Sequence, residues 1–238
     1  TYVIIGNNGT GKTNILEALS SVFSVLLAHS QDFLFSFVLR YNIGDVEYWV
    51  RHKIDTKTTE YKKNNEVVNE AGMTYPNRIV CNYSGEDTRM WNNYYKKPNE
   101  DYMNSVRTAA APDVLSMVYI DKTMWKYVLL CMLTTRNMNV AFDRFLKEKL
   151  HIASDGINTV EMKLDEAKLR RWRAENQITL FLNQLRHRLG SNEVLASSNV
   201  EDFNPNEDDA RELFNKFIGA SQVIDSLNIY CLLYTSDA

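Results

Sequence analysis

Eight residues near the N-terminus, Gly6-Asn7-Asn8-Gly9-Thr10-Gly11-Lys12-Thr13, constrain this chain more than any other feature. They match G-x-x-x-x-G-K-[ST] in full. The flanks suit the pattern: Tyr2-Val3-Ile4-Ile5 is a short apolar run of the kind that forms a strand covered on both faces. From Thr13 to about Ser30, Ile15, Leu16, Leu19, Val22, Phe23, Leu26 and Leu27 recur at helical spacing, which predicts a helix with one buried face. Strand, glycine-rich turn and helix therefore follow directly. In such a turn the residues lacking a β-carbon let successive N–H groups point inward at phosphate oxygens. The helix beginning near Lys12 adds its N-terminal partial positive charge. The Lys12 ammonium reaches the β- and γ-phosphates and stabilises the charge that develops there, while the Thr13 hydroxyl holds Mg²⁺. The reading places ATP and Mg²⁺ on Gly6, Asn7, Asn8, Gly9, Thr10, Gly11, Lys12, Thr13 and Asn14, with Lys12 as the catalytic group.

Beyond the helix, Phe35 to Tyr41 and Asp45 to Ile54 read as strands joined at Asn42-Ile43-Gly44, and a further hairpin is expected around Asn64-Asn65. Together they predict a small antiparallel sheet. Arg78 to Tyr83 reads as a strand and Val114 to Ile120 as another, followed by helices over Lys122 to Thr135 and Asn139 to Leu150. Thr159 to Leu164 is strand-like and precedes two long helices, at about Ala167 to Leu189 and at Asn206 to Leu227, the second opened by Asn206 as its cap. The predicted class is α/β. Residues 1–110 are expected to form the nucleotide-binding part with its antiparallel subsheet, and residues 111–230 a helical insertion.

Both ends look cut: the chain starts at Thr1 inside a strand, and residues 231–238, Cys231-Leu232-Leu233-Tyr234-Thr235-Ser236-Asp237-Ala238, resemble adapter read-through and are expected to pack poorly. The alternative is a genuine strand over Ile229 to Tyr234. Net charge of -3 offers no general pull toward nucleic acid or anionic lipid, so such contacts must come from a local patch. Three widely spaced cysteines, Cys81, Cys131 and Cys231, favour free thiols in a reducing compartment, and a cytoplasmic location is expected. The most apolar helical stretch, Met124 to Leu133, is about half the length of a membrane span, so no membrane association is expected.

The string Ile4 through Leu19, with Asn14, Glu17 and Leu19 beside the loop, resembles the ABC-type ATPase heads of the SMC, RecF and OLD-nuclease group. Arg78-Ile79-Val80-Cys81-Asn82-Tyr83-Ser84-Gly85-Glu86-Asp87-Thr88-Arg89 looks like the strand, Tyr-Ser-Gly, then Arg element of restriction-system-associated AAA-type ATPases of bacteria. The resemblance implies a partial P-loop NTPase fold and ATP hydrolysis. It also implies a homodimer through ATP-bound heads and a nuclease or restriction-system partner, in phage defence or DNA maintenance.

Such heads carry a Leu-Ser-x-Gly-[EQ] signature and a Walker B strand ending in Asp-Glu. Ser84-Gly85-Glu86 lacks the leucine and one glycine, and Val118-Tyr119-Ile120-Asp121 is followed by Lys122 where the glutamate belongs. Both motifs are therefore expected beyond the C-terminus, with this chain inactive alone. The alternative is a P-loop regulator or kinase without a head dimer, although an antiparallel sheet after the loop is unlike a kinase. Lys168-Leu169-Arg170-Arg171-Trp172-Arg173, with Arg186 and Arg188, reads either as a patch for DNA phosphates or as a solvated face balanced by Asp165, Glu166 and Glu175. His29, His52, His151 and His187 lack metal-ligand spacing and are assigned no role.

Overall fold

A computed structural model describes residues 12–82, 88–112, 114–191 and 193–233. The chain divides into two compact units, Thr1–Glu100 with Leu115–Tyr119, and Asp101–Val114 with Ile120–Ala238. The expected strand Tyr2 to Ile5 lies outside the described residues.

In the first unit, helix α1 (Lys12–Leu27) is followed by β1 (Phe37–Ile43), β2 (Val46–Lys53), β3 (Thr58–Lys63) and β4 (Glu66–Val68), a four-stranded antiparallel meander. The first turn is two residues long because Ile43 still pairs with Val46, leaving Gly44 and Asp45 to reverse the chain, with Gly44 at φ 60°. Asn64 and Asn65 both take positive φ, 48° and 66°, as the tight turn between twisted strands requires. One face of the sheet, carrying Val50 and Tyr61, packs with Val22, Phe23 and Leu26 of α1. Burial of α1 is thus confined to its C-terminal half. Ile15, Leu16 and Leu19 remain 43–44% exposed, which corrects the expectation of one apolar face buried along the whole helix. The sheet, together with Met90 and Tyr95, covers the helix only from Ser20 onward.

His52 lies on the buried face of β2, its ring 4.7 Å from that of Phe33. Thr59 donates its hydroxyl to Gln31 Oε1 at 2.8 Å, so the 3.0 Å bond between Thr59 Oγ1 and His52 Nδ1 has the histidine as donor. His52 Nε2 is buried with no hydrogen-bond partner. A proton there would place a charged donor among aromatic rings, and burial accordingly lowers the His52 pKa below its ordinary 6.5. The unfolded chain then binds more protons than the folded one in mild acid, so the stability contribution is full above about pH 6.5 and falls with pH toward the folded-state value. Urea midpoints at pH 7 and pH 5 should therefore differ less in His52→Leu than in the parent; an unchanged difference would contradict the assignment.

β5 (Ile79–Asn82) and β6 (Met117–Ile120) form a two-stranded sheet. Between them, a wide helical turn at Trp91–Tyr95 runs into α2 (Lys96–Thr108).

The second unit contains α3 (Met124–Thr134), α4 (Val140–Lys149), β7 (Ile152–Leu164), the single turn α5 (Glu166–Leu169), α6 (Gln177–Leu189), β8 (Val194–Ser197), α7 (Ala210–Ala220) and β9 (Ile224–Leu233). β7 is the centre of an antiparallel sheet of order β8-β7-β9, and its Val160, Met162 and Leu164 are buried at alternate positions. Leu130, Leu133, Phe181, Leu185 and Phe217 are also buried. α6 and α7 approach closely at Gly219, where a β-carbon would lie 2.7 Å from Ile178 Cδ1.

Two expected long helices are shorter. The first breaks after Leu169 because Asn176 caps a new helix, accepting from the N–H groups of Ile178 (2.9 Å) and Thr179 (3.3 Å). The second starts at Ala210 rather than Asn206: Asp209 accepts from Arg211 N and Glu212 N, while Asn206 donates to Gln184 instead. It ends at Ala220, and Ile224 onward is strand, because β7 offers a free ladder. β9 continues through Leu233, with Cys231 opposite Ile157 and Leu233 opposite Ile152. Residues 231–233 are thus paired strand, whereas Tyr234 to Ala238 lie outside the described residues. No helix among the described residues is long and apolar enough to cross a membrane.

Candidate functional site

Gly6, Asn7, Asn8, Gly9, Thr10 and Gly11 lie outside the described residues. What the structure gives is the helix they lead into. α1 begins at Lys12, with Thr13 half-buried and Asn14 exposed, and its first turn holds no acidic residue to oppose the partial positive charge of the free N–H groups. The Lys12 side chain itself is outside the described portion. Backbone N–H groups, an ammonium and a hydroxyl are a donor set suited to a magnesium-bound triphosphate.

One turn further on, Glu17 Oε1 sits 2.6 Å from Arg89 Nη2, the glutamate being 16% exposed. This pair joins the two stretches singled out in the sequence, the one from Ile4 to Leu19 and the one from Arg78 to Arg89. Behind it, Ser20 and Tyr95 share a hydrogen bond of 2.9 Å, and Ser20 Oγ also donates to Met90 Sδ at 3.6 Å. Burial pushes the Tyr95 hydroxyl well above the ordinary tyrosine range and keeps it protonated. α1 is therefore anchored on the segment 89–95 by an ion pair and a buried hydroxyl pair. Sequence reasoning named Glu17 and Arg89 without pairing them, and gave no role to Ser20, Met90 or Tyr95. The available signal was the polar Ser20-Ser21 step inside an apolar helix face.

Several of the remaining motif residues have local partners, and others are not described. Tyr83, Ser84, Gly85, Glu86 and Asp87 lie outside the described residues. Asp121, at the end of β6, accepts on one oxygen from Thr123 N (2.8 Å), Thr123 Oγ1 (2.6 Å) and Met124 N (3.0 Å), which opens α3. Of the basic stretch, Arg186 pairs with Glu166, Arg188 with Asp202 at 3.2 Å, and Lys168 with Asp165 at 2.9 Å. The Lys168 N–H and ammonium hold the Asp165 carboxyl below the usual carboxylate range. Arg186 and Arg188 are thereby separated from Arg170, Arg171 and Arg173 by the break before α6. Among the described residues no cluster of three or more His, Cys, Asp or Glu could hold a metal, and Cys81 and Cys131 are free thiols.

Residues 2–106 match the family model described as "AAA domain, putative AbiEii toxin, Type IV TA system". Over that span the chain is similar to a P-loop AAA-type ATPase domain, which implies nucleotide binding and ATPase-type chemistry, with ATP and Mg²⁺ as the usual ligands. No curated protein and no solved structure matches the chain.

Proposed function

We propose that the chain is the ATP-binding part of an ABC-type ATPase head, in which Gly6 to Asn14 cradle the triphosphate and Lys12 stabilises charge on it. Residues 1–110 carry this role, and residues 111–230 are an insertion that serves the effector. The complete G-x-x-x-x-G-K-T pattern running into a helix that starts at Lys12 is the observation that carries the reading. The family match over residues 2–106 supports the coarser part of it.

The chemistry required of the chain is positioning and charge stabilisation. Backbone N–H groups of Asn8 to Lys12 would orient the phosphates, Lys12 would stabilise charge on the β- and γ-phosphates, and Thr13 would hold the metal. Magnesium, when bound, neutralises charge between those phosphates. The Glu17–Arg89 pair positions α1 against the segment after β5. In the intact protein, ATP-bound heads pair and hydrolysis separates them, switching a nuclease or restriction-system effector in bacterial defence or DNA maintenance. The reading assigns no residue of this chain as base for the attacking water, and turnover by the chain alone should be near absent.

Light scattering after size exclusion tests this on the full-length protein. ATP with Mg²⁺ should double the mass, and EDTA should reverse the change. Tight ATP binding with an unchanged mass would favour a P-loop regulator or kinase and reject the head dimer.

A further inference from the structure

The C-terminal end of α2 and the loop 170–176 border a concavity of about 640 Å³ in the second unit, within the roughly 300–1,000 Å³ of small-ligand sites. Its wall carries Arg107, Lys168, Arg171 and Arg173, together with Asn104 and Trp172, and among the described residues no carboxylate lines it. Lys168 is held by Asp165. Arg107 Nη2 donates to Asn104 Oδ1 at 3.0 Å, but neither Arg107 nor Arg171 nor Arg173 has a carboxylate partner among the described residues.

The backbone builds this arrangement. Arg171 N and Trp172 N donate to Lys168 O and Leu169 O, each at 3.0 Å, and turn the chain sharply. Arg173 N then donates to Arg107 O at 2.8 Å, and Asn176 Nδ2 donates to Val106 O (2.8 Å) and Ala109 O (3.0 Å). The loop therefore caps α2, occupies carbonyls that would otherwise repel an anion, and sets its arginines beside the one in the last turn of the helix. Three arginine side chains from two distant stretches of sequence and one indole line the same concavity. Planar guanidinium forks match phosphate oxygens, and an indole face stacks on a base of any sequence.

We propose that this concavity binds a nucleotide phosphate, with Arg107, Arg171 and Arg173 on its oxygens and Trp172 against the base. A free nucleotide and one unit of a single-stranded nucleic acid present the same chemistry to it. It shares no residue with the loop that ends at Lys12.

Fluorescence anisotropy with labelled oligothymidylate and with a fluorescent ATP analogue, each titrated against full chain carrying Lys12→Ala, tests it. At least one probe should bind. The double variant Arg171→Ala/Arg173→Ala and, independently, Arg107→Gln should weaken that binding tenfold or more, with thermal melting unchanged as the check on folding. A bound strand should also lose about 0.7 of its log–log salt slope for each phosphate contact removed. Strand binding that the arginine variants weaken assigns a nucleic-acid segment, and binding of the ATP analogue alone, weakened in the same way, assigns a free nucleotide. Silence of both probes, or affinities indifferent to the arginines, overturns the proposal. Failure of the parent chain to bind ATP through Lys12 would count only against the function proposed above.

Discussion

Replacing Lys12 with alanine lowers the affinity of the full-length protein for ATP by about 10- to 100-fold. A charge-assisted hydrogen bond contributes roughly 1.5–3 kcal/mol, and about 1.4 kcal/mol corresponds to a factor of ten in binding. The loss should be measured by titration calorimetry with Mg²⁺ present, and adenosine, which lacks the phosphates, should not discriminate between the two proteins. Because α1 opens at Lys12 and no acidic side chain occupies its first turn, removing the ammonium leaves the helix-end donors in place, and residual binding is expected. An ATP affinity identical in the two proteins would sink the reading of residues 6–13 as a phosphate cradle.

The second large effect concerns the core of the other unit. Phe217 of α7 is fully buried, edge-on to Phe181 at 5.2 Å and roughly parallel to Tyr127 at 6.0 Å. Phe217→Ala removes those contacts and leaves a cavity that the close α6–α7 approach at Gly219 cannot collapse to fill. A loss of about 3–5 kcal/mol is expected from urea unfolding, against a smaller loss for Phe217→Leu. A cost below about 1 kcal/mol would mean that these helices do not share a packed core. The same burial pushes the Tyr127 hydroxyl up to about 12, so this cluster stays neutral across the usable pH range.

What was legible in the sequence was whatever depends on near neighbours. The Asn64-Asn65 hairpin follows from two residues that tolerate positive φ, and α3 and α4 follow from apolar spacing interrupted at Asn137. What was not legible depends on partners far along the chain. Ile224 to Leu227 continue a helical pattern locally, and become strand only because β7, whose pairing residues lie 60 to 65 positions earlier, offers backbone donors and acceptors to pair with. The break after Leu169 turns on Asn176, whose amide is worth more as a cap and tether than as a helix-interior residue. At the candidate site the residue types and their spacing were readable. The Glu17–Arg89 pair was not, since nothing in local periodicity brings residues 72 positions apart into contact.

The side chain at position 176 is 4% exposed and makes four hydrogen bonds at once, two received from the start of α6 and two given to the end of α2. Aspartate, its nearest isostere, would keep the two acceptors, lose both donors and set a carboxylate against two carbonyl oxygens. A single amide-to-acid change at this position would therefore unfasten two helix ends together.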